Sequence, residues 1–190
     1  MSAKHKQLKG ITTTMQNQRN NKNPSELDRL MAAALSVAEA QMHRFGITII
    51  SYMMATPKGT RMVLGDASSD FDALATVFRL TSAAEAARVG VVSYQVRTTL
   101  YETGEQCEGI LVSGQALGSI CHNWFYPILR REGHFTGFGP KQVWSPGPTE
   151  SPFTRLLPSS IPSAREREAA AKALASMTKP ITAAPGANPH

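Results

Sequence analysis

Val92-Ser93-Tyr94-Gln95-Val96-Arg97-Thr98-Thr99-Leu100 is the stretch on which the fold class turns. Val92, Tyr94, Val96, Thr98 and Leu100 alternate with Ser93, Gln95, Arg97 and Thr99, and a period of two belongs to a β-strand. A turn at Gly104-Glu105 leads to a second β-rich run through Ile110, Leu111 and Val112, and Gly118 leads to a third over about 119–129. Three such runs with short connections predict an antiparallel meander.

Working outward toward the N-terminus, Ser68 or Ser69 caps a helix that has Asp70 and Asp72 in its first turn. Phe71, Leu74, Val77, Phe78 and Leu80 supply its apolar content. Ser82-Ala83-Ala84-Glu85 also matches a capping box, so the reading is one helix over 70–89 or two broken near Thr81, ended by Gly90. Before it, Ile47 to Ala55 is an apolar run with no polar face, Thr56-Pro57-Lys58-Gly59 is a turn, and Thr60 to Gly65 returns. A first strand apolar on both sides belongs inside a sheet that is covered. Earlier still, Ser25 is an N-cap, and Leu27, Leu30, Met31, Ala34, Ala38, Met42 and Phe45 recur at helical spacing up to Gly46. This predicts an amphipathic helix over 26–45.

The order α-β-β-α-β-β-β predicts an α+β fold, with an antiparallel sheet of about five strands and helices packed on one face. The domain is expected over 25–145. Toward the C-terminus, Gly133, Gly137, Gly139 and Pro140 interleave with Phe135 and Phe138 as a Gly-rich loop, and a short strand is expected around 142–144. Prolines at 146, 148, 152, 158 and 162 argue against regular structure up to Ser163. Ser163-Ala164-Arg165-Glu166 is a further capping box, opening an Ala-rich helix over 164–177. Its apolar face (Ala170, Leu174, Met177) is thin, and isolated helices of ~12–15 residues are marginal in water. The expectation is a Pro-rich tail over 146–190 whose helix forms only against a partner or its own domain.

Charge is distributed unevenly. The chain has 190 residues and a formal net charge of +6. Lys4, Lys6, Lys9, Arg19 and Lys22 lie in residues 1–24 without a single acid, whereas 25–145 carries ten Lys/Arg against eleven Asp/Glu. Residues 1–24 are rich in Asn, Gln, Lys and Thr, without hydrophobic periodicity, and are expected to be disordered in isolation. Five mobile cations can neutralise phosphates and give salt-sensitive, sequence-blind affinity by counterion release. The near-neutral remainder argues against a broad basic reading face.

Catalytic signatures are missing: the sequence holds no P-loop, GxGxxG, HExxH, GxSxG or paired-cysteine motif. Cys107 and Cys121 lack zinc-ligand spacing and read as two ordinary thiols, with a disulfide across adjacent strands as the alternative. Asp66, Asp70 and Asp72 cluster before the second helix, but capping and the helix dipole explain them, and the spacing is not that of an EF-hand loop. No metal or cofactor is expected. No run approaches 18 apolar residues, and the basic N-terminus has no apolar segment behind it, so neither a membrane span nor a secretory signal is expected and the cytoplasm is favoured.

The leading expectation is therefore a non-enzymatic binding or assembly protein. Its basic arm (Lys4, Lys6, Lys9, Arg19, Lys22) would contact nucleic acid or an acidic protein surface. Arg130, Arg131, His134, Phe135, Phe138, Lys141 and Trp144 form a second contact surface, because guanidinium groups beside aromatic rings suit stacking on bases or docking an acidic peptide. The alternatives are a small enzyme or ligand-binding domain, with a pocket between sheet and helices using Tyr94, Arg97, His122 or Asp66, and an inhibitor acting through a sheet face. Self-assembly through the two tails is a further expectation.

Overall fold

The computed structural model describes residues 24–65, 70–99, 104–143, 153 and 155–177. Three helices and seven strands follow one another as α1 (Glu26–Phe45), β1 (Ser51–Thr56), β2 (Gly59–Leu64), α2 (Phe71–Ala84), β3 (Val89–Thr99), β4 (Gln106–Ala116), β5 (His122–Arg131), β6 (His134–Phe138), β7 (Gln142–Val143) and α3 (Ala164–Met177). The fold is α+β, built on one antiparallel sheet in the order β2-β1-β3-β4-β5-β6, with β7 pairing β5. The meander β3-β4-β5 runs along the middle: Tyr94 lies opposite Leu111, and Leu111 opposite Phe125.

The helices do not share one face of the sheet, contrary to the expectation from element order. Alternation along the strands divides the core in two. Met53, Ala55, Val89, Val91, Ile110 and Val112 point to α1, where Leu30, Met31, Ala34 and Ala38 cover them. Tyr52, Met54, Val92, Tyr94, Leu111 and Phe125 point the other way, to Leu74, Ala75 and Phe78 of α2. All six residues of β1 are buried, as an apolar strand with helices on both sides must be.

Local capping follows the sequence closely at α1. The Asp28 N–H donates to Ser25 Oγ at 3.1 Å, the Ser25 N–H donates to Asp28 Oδ2 at 3.1 Å, and Gly46 closes the helix at φ 72°. At α2 the cap is Asp70, and the helix stops at Ala84 as one piece, with Ala86 left-handed at φ 50°. Gly90 is not the stop. It lies inside β3, where a Cβ would collide with the Tyr52 hydroxyl, so its lack of a side chain makes room for that ring.

A further correction concerns the C-terminal part. The Gly-rich stretch after Glu132 is the strand β6, joined to β5 by a two-residue turn, Glu132-Gly133, with φ 52° and 82°. Positive φ at both central residues is what a tight hairpin requires, and glycine satisfies it at one of them. Beyond residue 146, part of the described chain packs on the domain, as the weak helix required. Phe153, Leu156 and Leu157 are buried in the α2 core, and α3 packs on α2. The expected capping box is present, with Ser163 N–H donating to Glu166 Oε2 at 2.7 Å and Glu166 N–H to Ser163 Oγ at 3.3 Å. No helix among the described residues is long and apolar enough to cross a membrane.

Candidate functional site

The arm cations Lys4, Lys6, Lys9, Arg19 and Lys22 lie outside the described residues, as do Asp66 and Trp144. The remaining candidates separate into groups that do and do not meet.

Tyr94, Arg97 and His122 do not meet. Tyr94 is a core residue, 4% exposed, with its ring 5.1 Å from that of Phe153. Arg97 is on the surface and donates to Glu108 Oε1 at 2.6 Å. His122 is exposed at the start of β5, opposite Gly114. Gly114 pairs with Val91 and Glu108 with Arg97, which sets His122 and Arg97 about 20 Å apart along the strands. These residues form no shared pocket. The two thiols are also far apart: Cys107 lies seven positions along β4 from Gly114, the partner of His122 next to Cys121, roughly 23 Å, so they cannot bridge. Burial pushes the Cys121 thiol up to about 11, away from nucleophilic chemistry at neutral pH.

The second contact surface is only partly assembled. A groove of about 280 Å³ lies where the C-terminal end of α1 meets the β5–β6 hairpin, and it is lined by His43, Gly46, Arg130, Gly133, His134 and Phe135 among others. Phe135 meets the His43 ring edge-on at 4.8 Å and has Phe138 behind it at 5.1 Å. Phe138 packs against the α1 core, and both phenylalanines are half-buried. Arg131 and His134 are exposed, and Arg130 is shared between the Gly133 carbonyl at 3.5 Å and Glu108 Oε2 at 3.9 Å. Arg44 lies 5.1 Å from the Phe45 ring, which is 55% exposed. Neither Arg44 nor Arg131 has a carboxylate partner among the described residues.

Lys141 stands apart from this group. Its Nζ sits 3.8 Å from the Trp124 ring centroid, beside the N-terminal end of α1. There the Ser25 hydroxyl holds the Asp28 carboxyl below its ordinary value; burial opposes this, and the Ser25 N–H, Lys141 and His122 add to it. Asp28 and His43 are fifteen residues apart on α1, about 22 Å. Cations therefore flank both ends of the seam between α1 and strands β5–β7.

His43, Arg44 and Trp124 are not singled out by the sequence. Basic residues in a last helical turn are fully explained by the helix dipole, so the pattern carries no separate signal. A second feature has no sequence signal at all. On the opposite face of the sheet, α2, the β4–β5 turn and the 155–159 segment border a half-open cavity of about 680 Å³, with Arg79, Gln115, Ser119 and Arg155 in the wall. Among the described residues no group of three His, Cys, Asp or Glu side chains is placed to hold a metal ion. No protein-family model matches this chain, and comparisons with curated proteins and with solved structures returned no match.

Proposed function

We propose that this protein is a non-enzymatic binding protein that engages a polyanionic partner, a nucleic acid or an acidic protein surface. The basic segment 1–24 makes the first contact and the seam between α1 and β5–β7 makes the second. The observation that carries the reading is the pairing of exposed cations with rings along that seam, Arg44 on Phe45 and Lys141 on Trp124, with Arg130 lining the groove beside Phe135. A seam that runs about 22 Å along α1, with Lys141 near one end and Arg44 at the other, suits an extended polymer better than a compact ligand. The acids nearby, Asp28 and Glu108, offset part of this charge, so the arm supplies most of the affinity and the seam the orientation.

Heparin retention of the full chain, measured against salt, tests this. Deleting 1–24 should cost most of the retention. Arg44→Glu with Arg131→Glu in the full chain should lower the logarithmic salt slope by roughly one for each anionic group no longer neutralised. Unchanged elution after the deletion removes the arm from the reading, and an unchanged slope in the double variant removes the seam. Nuclease treatment of material captured from cells separates nucleic acid from an acidic protein.

A further inference from the structure

We propose that the 680 Å³ cavity between α2, the β4–β5 turn and the 155–159 segment is a binding site for a small organic phosphate. It lies on the face of the sheet opposite to α1 and is independent of the polyanion seam.

Three observations lead there. The volume falls within the range that small-molecule sites occupy, about 300–1,000 Å³. Its charge is one-sided: Arg79 from α2 and Arg155 both line it, no acidic side chain among the described residues does, and neither arginine has a carboxylate within reach among them. Among the described residues, the polar contact that engages these guanidinium groups is Arg79 Nη2 donating to Thr76 Oγ1 at 3.2 Å. Two guanidinium groups match the charge of a phosphate monoester dianion, and each presents a planar fork of donors that pairs two N–H groups with two phosphate oxygens.

The third observation is that the wall is held in place by a buried side chain. Gln115 is 9% exposed, and its Oε1 accepts from the N–H groups of Leu156 at 2.9 Å and Leu157 at 3.1 Å. Its Nε2 donates to the Ser119 carbonyl at 2.9 Å. One amide thus ties the 155–157 segment to β4 and to the β4–β5 turn, fixing the backbone that carries Arg155 on the cavity that Arg79 also lines. A binding site whose backbone is fixed before the ligand arrives loses less entropy on binding. Leu157 and Pro158 also line the space and give it an apolar part, suited to the organic remainder of a phosphate ester.

The test is a titration of the full chain with phenyl phosphate, followed by calorimetry and by phosphorus NMR line broadening, with benzoate and inorganic phosphate in parallel. The expected result is saturable binding of phenyl phosphate with one site, tighter than inorganic phosphate and much tighter than benzoate. Arg79→Gln and Arg155→Gln should each weaken it by roughly tenfold or more, since a hydrogen bond to a charged group is worth about 1.5–3 kcal/mol. Arg79→Lys and Arg155→Lys, which keep the charge and lose the fork, should recover only part. Both arginines are exposed, so these variants should keep the parent's melting temperature. Arg29→Gln, on the exposed side of α1 and outside both proposed sites, should leave the affinity unchanged. The proposal is overturned by absence of saturation, by benzoate binding equally well, or by Arg29→Gln costing as much as Arg79→Gln.

Discussion

The two faces of the sheet are closed in different ways. On one, the single continuous helix α1 lays Leu30, Met31, Ala34 and Ala38 over aliphatic strand residues, and its small residues let it sit close. On the other, closure takes α2, a non-repetitive segment carrying Phe153, Leu156 and Leu157, and then α3 stacked on α2. That second face holds the aromatic cluster: Tyr52 stacks on Phe78 at 4.6 Å, and Phe153 lies 5.1 Å from Tyr94, 5.8 Å from Phe78 and 6.0 Å from Phe71. It also holds polar atoms that need partners, in Tyr52, Ser82, Ser113 and Gln115. A face built from a few large rings and buried polar groups depends on individual residues more than one built from many small contacts.

The largest expected effect follows from Phe153, which is 0% exposed and packs against the rings of Phe71, Phe78 and Tyr94. Phe153→Ala should lower the unfolding free energy by about 3–5 kcal/mol, the range for truncating a buried phenylalanine. Urea denaturation monitored by circular dichroism measures it. A loss below about 1 kcal/mol would break the comparison, because the 153–157 segment would then be an addition to a core already complete without it.

The contrast between the faces is also a contrast in how far each can be read from the chain. The helix α1 announces itself through Ser25, its apolar spacing and Gly46, and each signal is local. The alternation in β3 likewise fixes which side chains share a face. Alternation cannot say what covers each face, which is why element order alone puts the helices on one side. Phe153, Leu156 and Leu157 have no period, and the prolines around them read as a tail, yet a non-repetitive segment can be buried when a side chain pairs its backbone. Gln115 does that from 41 residues away, and no local pattern carries such a pairing. The site residues show the same division. Arg130, His134 and Phe135 are neighbours in sequence and meet in one groove, whereas Arg79 and Arg155 come together only through the tertiary fold.

A second, smaller effect sharpens the comparison through pH. Tyr52 is 0% exposed, and burial pushes its hydroxyl up to about 12, with the hydrogen bond to Ser82 pulling weakly the other way. The folded state therefore holds the Tyr52 proton more tightly than the unfolded chain does. The stabilisation from this group is fully present below pH ~10 and is lost as pH rises from about 10 to about 12, at a cost of about 2–3 kcal/mol. Tyr52→Phe cannot titrate, so the stability difference between wild type and this variant should shrink over that window. A constant difference from pH 9 to pH 12 would show that the ring is reached by water, and that the α2 face is looser than the α1 face.

The smallest expected effect has the opposite sign. Ser113 lies on β4 between Leu111 and Gln115, on the α2 side, 0% exposed, and its Oγ has no hydrogen-bond partner among the described residues. A buried hydroxyl without a partner forfeits its hydration and gains nothing in return, so Ser113→Ala should raise stability by up to about 1 kcal/mol. On the α1 side the comparable buried hydroxyl, Ser51, donates to the Ile49 carbonyl at 3.1 Å and accepts from Gln41 Nε2 at 3.3 Å. Ser51→Ala should therefore cost stability, by about 1 kcal/mol. Opposite signs at two serines of the same sheet test whether the strand surface under α2 carries an unmet hydroxyl where the surface under α1 carries a satisfied one. Equal losses at both positions would mean that Ser113 is satisfied in solution.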